Sequence, residues 1–174
     1  SLGEGWQVED LRAHPGVTVD EETGDTFEAN AIIKAVSGSR GAPGLLVLAD
    51  DSGLEVDALD GAPGVRSARY AGETANAADN RAKLKAELCK LPQTTPFTGR
   101  FHCCMVLARD GEVLHVTSGS VEGRLLTEEV GAGGFGYDAL FIPDGFTETF
   151  GVLSAESKNQ LSHRARALAA MKEQ

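Results

Sequence analysis

The apolar and polar positions of this chain fall into alternating helical and strand-like segments. Asp25-Thr26-Phe27-Glu28 has the form of a capping box, with Asp25 as N-cap and Glu28 three residues on. It predicts a helix running to Ala35 whose apolar face uses Phe27, Ala31 and Ile32. Residues 45–49 form a continuous apolar run closed by Asp50, the pattern of a buried strand. A second helix is expected over 75–91, with Leu84 and Leu88 one turn apart. Residues 101–108 and 113–121 read as strands, and Asp110-Gly111 between them is a strong hairpin signal. Residues 139–142 predict another short strand, and 161–171 a closing helix with Leu161, Ala165 and Leu168 on one face. The order of elements predicts an α/β protein, and no repeat or low-complexity stretch divides it.

Length and composition fit that picture. A chain of 174 residues, 41% of them hydrophobic, suits a single domain, of one body or two lobes. No apolar run reaches the ~20 residues of a membrane span, and Ser1 to Asp10 lacks the basic start and apolar core of a signal peptide. A cytoplasmic protein with no membrane partner is therefore expected. The cysteines agree: Cys89 stands alone, while Cys103 and Cys104 are adjacent in a strand and so leave on opposite faces. An odd number without C-x-x-C spacing predicts reduced, structural thiols.

The net charge of −10 disfavours a nucleic-acid partner, which needs a basic surface. It permits a small anionic ligand only where a metal or local Lys and Arg neutralise the site.

Four constellations could carry chemistry. Asp50 and Asp51 follow the apolar run and precede Ser52-Gly53-Leu54, which predicts a strand end, where α/β sheets gather ligands. An isolated Asp-Asp pair is more often a solvated turn; the apolar strand delivering this one favours a cation site. Residues 131–138 read Gly-Ala-Gly-Gly-Phe-Gly-Tyr-Asp, a literal match to the dinucleotide fingerprint. That fingerprint works only between a strand and a helix, and here a proline-ended strand follows. An NAD-binding oxidoreductase is therefore a weak alternative, and Phe135 and Tyr137 are better read as rings for stacking on a base or as core. Lys158 with Ser162-His163-Arg164 gathers cations in an acidic chain, joined by helix amides if Ser162 is an N-cap. Finally, Glu21-Glu22-Thr23-Gly24 precedes the first helix, which carries Lys34. Glu22 with Asp51 would offer the hard oxygens that suit Mg²⁺.

Together these stretches, with Thr26 to Ala31, Gly61-Ala62-Pro63-Gly64 and Ser67-Ala68-Arg69-Tyr70, resemble the inosine triphosphate pyrophosphatase family of noncanonical purine NTP pyrophosphatases. The matches span almost the whole chain in the family's order. The resemblance implies an elongated, two-lobed mixed sheet with flanking helices and a central active-site groove, working as a homodimer. It implies Mg²⁺-dependent hydrolysis of ITP, dITP or XTP between the α and β phosphates, releasing monophosphate and pyrophosphate. Carried over by motif, Asp51 is the proton acceptor and a metal ligand, and Glu22 the second metal carboxylate. Lys34, Ser52, Phe135, Gly136, Tyr137, Asp138 and Lys158 contact substrate, with His163 and Arg164 at the base and phosphate end. Family members open with a strand and a T-x-x-N-x-K-type loop, and relative to that pattern these residues begin past it. A nucleotide-binding module without turnover is the other reading.

Overall fold

Thr26, one residue later than expected, caps the first helix. Its side chain accepts from Ala29 N at 3.0 Å, and helix α1 runs over Phe27–Gly41, beyond the predicted Ala35. The extension is built from small residues that let the helix approach the sheet: a Cβ on Gly38 would come within 3.3 Å of Val47 Cγ1. The computed structural model describes residues 9–10, 14, 16–92, 96–162, 166–167 and 169–170.

The sheet consists of β1 (Val47–Val56), β2 (Phe97–Arg109), β3 (Glu112–Leu125) and β4 (Phe141–Pro143), in that spatial order. Every pairing is antiparallel. The α/β expectation holds, but among the described residues the sheet is antiparallel where the resemblance implied a mixed one. Asp110 and Gly111 turn β2 into β3 with φ of 50° and 83°. Positive φ at both positions is the geometry a two-residue hairpin demands. Pro143 closes β4, which ends the described sheet, a place where a missing N–H costs no ladder bond.

Helices cover both faces. Ala31 and Ala35 of α1, with Phe27, pack on Cys104, Val106 and Ala108. On the opposite face, Leu84 and Leu88 of α2 (Ala77–Cys89) join Leu54, Val56, Phe101, Val121 and Phe141. Helix α2 starts in a full capping box between Asn76 and Asp79. The free cysteines divide as expected, Cys103 and Cys104 entering different clusters. Burial pushes the Cys104 thiol up to about 11, so it stays protonated and inert.

Two predicted segments come out differently. Residues 139–142 divide between a 3-10 turn at Asp138–Leu140 and the strand β4. An unpredicted helix, α3 (Ala155–Leu161) capped by Ser154, precedes the closing one, within whose predicted span residues 166–167 and 169–170 are helical. Ser162 is the C-cap of α3, its N–H donating to Lys158 O at 2.8 Å. Its own carbonyl accepts from Arg166 N at 3.0 Å, the bond an N-cap makes to the helical residues that follow it.

Tyr137 shows how the later segments lock onto the sheet side. It is 4% exposed, and its hydroxyl donates to Ser67 O at 2.6 Å. Burial raises the phenol's pKa above its ordinary value. Tyr137→Phe leaves that carbonyl without its donor and is expected to cost about 1–2 kcal/mol in urea unfolding.

Candidate functional site

Asp50 and Asp51 do not end a strand; they lie within β1. The apolar run suggested an end at Asp50, but backbone pairing continues to Val56 opposite Gly99. Being inside the strand separates the two carboxylates, because successive side chains leave on opposite faces. Asp51, paired with Cys104, faces α1. Asp50, paired with Met105, faces the other side, where Cys103 Sγ stands 3.8 Å from its Oδ2. The adjacent charges therefore need no cation between them to coexist.

Three predicted residues meet on the α1 side. Lys34 Nζ lies 3.1 Å from Glu22 Oε1 and 3.6 Å from Asp51 Oδ1. Asp51 is only 8% exposed, and its second oxygen, Oδ2, has no hydrogen-bond partner among the described residues. Burial pushes the Asp51 carboxyl above the ordinary carboxylate range, against the pull of Lys34 and with help from the negative charge of Glu22. Two carboxylates around one ammonium, with a buried oxygen left over, fit a divalent cation of the Mg²⁺ kind. That ion usually takes one or two carboxylates and leaves its other positions to water and phosphate. Among the described residues no group of three or more His, Cys, Asp or Glu suited to a metal occurs.

A second set forms around the glycine loop. Gly134 and Gly136 take φ of 73° and 56°, and a Cβ on Gly134 would lie 2.3 Å from Asp138 Oδ2. The loop is thus wrapped onto Asp138, whose Oδ2 accepts from Phe135 N at 2.9 Å and pairs with Lys158. Lys158 Nζ also sits 4.3 Å over the Phe135 ring, which is 63% exposed. Tyr137 belongs to the core instead, as described above. The loop leads into a 3-10 turn and β4, not an α-helix, so the dinucleotide reading fails.

Ser52 follows Asp51 and leaves β1 on the opposite face, level with Cys103. His163 and Arg164 lie outside the described residues. Sequence reasoning missed Asn30, Arg81 and Glu129. Asn30 carries a faint signal, a polar residue on the stripe of α1 that holds Phe27 and Ala31. Arg81 carries none: it donates to Gly136 O at 2.8 Å across 55 positions of chain and pairs with Glu129, which also binds Lys85 at 2.9 Å.

Fold and site together define an α/β protein with an acidic, lysine-bridged centre on one face of its sheet and an aromatic glycine loop held by ion pairs. The Ham1 family profile matches residues 2–174. The dITP/XTP pyrophosphatase of Desulforamulus reducens is 49% identical over 164 residues, covering 94% of this chain and 81% of that protein. That of Geobacillus kaustophilus is 45% identical over 170 residues, covering 98% and 82%. Among solved structures, a HAM1 protein from Coxiella burnetii superposes with a TM-score of 0.85 at 38% identity, covering 93% of this chain and 82% of that one. The Staphylococcus aureus Ham1 protein gives 0.82 at 41% identity, covering 94% and 82%. The chain belongs to the Ham1 family.

Proposed function

We propose that this protein hydrolyses noncanonical purine nucleoside triphosphates, dITP and XTP foremost, to the monophosphate and pyrophosphate. The observation that carries the reading is the buried Asp51 carboxylate, with one oxygen toward Lys34 and the other unpartnered, beside Glu22. Relatives named for dITP and XTP support the substrate class.

Within this reading Asp51 accepts the proton of the attacking water. A carboxylate made more basic by burial suits that task better than a solvated one. Lys34 holds the two carboxylates apart from each other's charge and turns its ammonium to phosphate oxygens when substrate arrives. Glu22 and Asp51 would hold Mg²⁺, which when bound neutralises phosphate charge and polarises the anhydride. The Phe135 ring supplies a stacking face, and the Phe135–Asp138 loop with Lys158 borders the base. Ser52 joins these contacts from β1, with His163 and Arg164 at the base and phosphate end. Donors aimed at the purine 6-position pair with a keto oxygen, whereas the amino group of adenine leaves them unpaired at roughly 1–3 kcal/mol. We also take the working unit to be a homodimer, which sedimentation at twice the single-chain mass would support.

Pyrophosphate release from dITP, XTP, ITP, GTP and ATP, with Mg²⁺ and with chelator, tests the proposal. Fast turnover of the first three, lost on chelation, is expected. Binding of dITP without pyrophosphate release would leave a nucleotide-binding module and defeat the enzyme reading.

Arg81 should matter at a distance from the chemistry. Arg81→Ala frees Gly136 O and unbalances Glu129, loosening the loop that presents Phe135. A charged hydrogen bond is worth roughly 1.5–3 kcal/mol, and loosening the loop spends part of that on ordering. KM for dITP is expected to rise about tenfold with kcat nearly unchanged, read from steady-state kinetics.

A further inference from the structure

The sheet-facing stripe of α1 is apolar or small at Phe27, Ala31 and Ala35, yet it also holds Asn30, which is 0% exposed. Burying an amide away from water is costly unless both of its ends find partners. One end does: Asn30 Oδ1 accepts from Gly24 N at 2.8 Å. Gly24 lies two residues after Glu22 and is packed tightly there, since a Cβ on it would fall 2.7 Å from Ala29 Cβ. The other end, Asn30 Nδ2, is buried and has no hydrogen-bond partner among the described residues. Asp51 Oδ2 is likewise buried and unpartnered. A donor and an acceptor, both buried and without a hydrogen-bond partner among the described residues, thus lie on a helix and a strand that pack against each other.

We infer that Asn30 is a positioning residue: its one amide ties the Glu22 loop through Gly24 and steers the Asp51 carboxylate, fixing the two acids relative to each other. An amide is suited to this because it offers an acceptor on one side and a donor on the other without adding charge. Aspartate in its place keeps the acceptor, loses the donor and adds a third negative charge to the site. Alanine loses both. The inference rests on the reading of Glu22 and Asp51 as the acidic pair of a pyrophosphatase.

The test uses the whole chain as wild type, Asn30→Ala and Asn30→Asp, at a temperature where circular dichroism shows each folded. Amide hydrogen exchange at Gly24, measured without metal or nucleotide, reads the tie to the loop. Loss of groups that orient metal ligands typically costs about 10–100-fold. Asn30→Ala should therefore speed Gly24 exchange at least tenfold and raise the Mg²⁺ concentration for half-maximal turnover about tenfold or more, with KM for dITP at saturating Mg²⁺ little changed. Asn30→Asp should keep Gly24 protected while kcat still falls about tenfold or more. Wild-type Gly24 exchange in Asn30→Ala, or wild-type kcat in Asn30→Asp, would overturn the assignment. If Asn30→Ala does not fold, Asn30→Asp alone decides. If the wild-type protein shows no pyrophosphatase activity, the functional reading falls, while Gly24 exchange still judges Asn30's hold on the loop.

Discussion

Asp51→Asn is expected to lower kcat by about 10³-fold, within the range by which general bases contribute, and at the same time to make the free protein more stable at neutral pH. The second effect follows from where Asp51 sits. Its carboxyl titrates above the ordinary carboxylate range because it is buried, despite Lys34. Between the ordinary value and the raised one, the folded state binds more protons than the unfolded state. Stability therefore falls as pH rises through that window, and stays lower above it. Asparagine cannot ionise and removes that loss, while Glu22 remains 3.1 Å from Lys34 to hold its charge. Thermal unfolding without divalent cations should give Asp51→Asn the higher midpoint at pH 7, the advantage vanishing below the ordinary carboxylate range. Equal midpoints at both pH values, or substantial residual turnover, would remove Asp51 from the place given to it here.

Lys158→Ala should produce the largest loss of stability at the glycine loop. Asp138 is 5% exposed and its Oδ2 is shared by Lys158 and Phe135 N. Removing the lysine strands a buried carboxylate, a change that costs about 3 kcal/mol in comparable pairs. The loss is not a measure of the pair's net worth, because replacing both partners removes the stranded charge. Lys158→Met with Asp138→Asn should thus recover most of the midpoint in urea, while KM for dITP stays high because the loop's cation is gone. If the double variant is as unstable as Lys158→Ala, the ion pair is not what holds this loop.

Much of this could be read from residues alone, and the exceptions have physical causes. The α1 helix, the Asp110-Gly111 hairpin and the Leu84–Leu88 face announced themselves because each is local: a cap, a turn chemistry, a helical spacing. The extent of β1 did not, because its pairing with β2 is set by residues about fifty positions away that carry the ladder straight through Asp50 and Asp51. That same fact resolved the puzzle of two adjacent charges, which face opposite sides of the sheet. Tyr137 and Phe135 looked alike in a glycine loop; only the tertiary bond from Tyr137 to Ser67 sends one ring inward. Asn30 and Arg81 escaped notice since their partners, Gly24 and Gly136, are backbone atoms with no sequence signature.

The central claim is that water, activated at Asp51, attacks the α phosphorus of a purine triphosphate carrying a 6-keto group. Turnover of dITP in ¹⁸O-labelled water, with Mg²⁺ and with the products resolved by mass spectrometry, tests it most directly. The account predicts one labelled oxygen in dIMP, unlabelled pyrophosphate, and far slower reaction with dATP. Label in pyrophosphate or in orthophosphate, or equal rates for the two nucleotides, would contradict it.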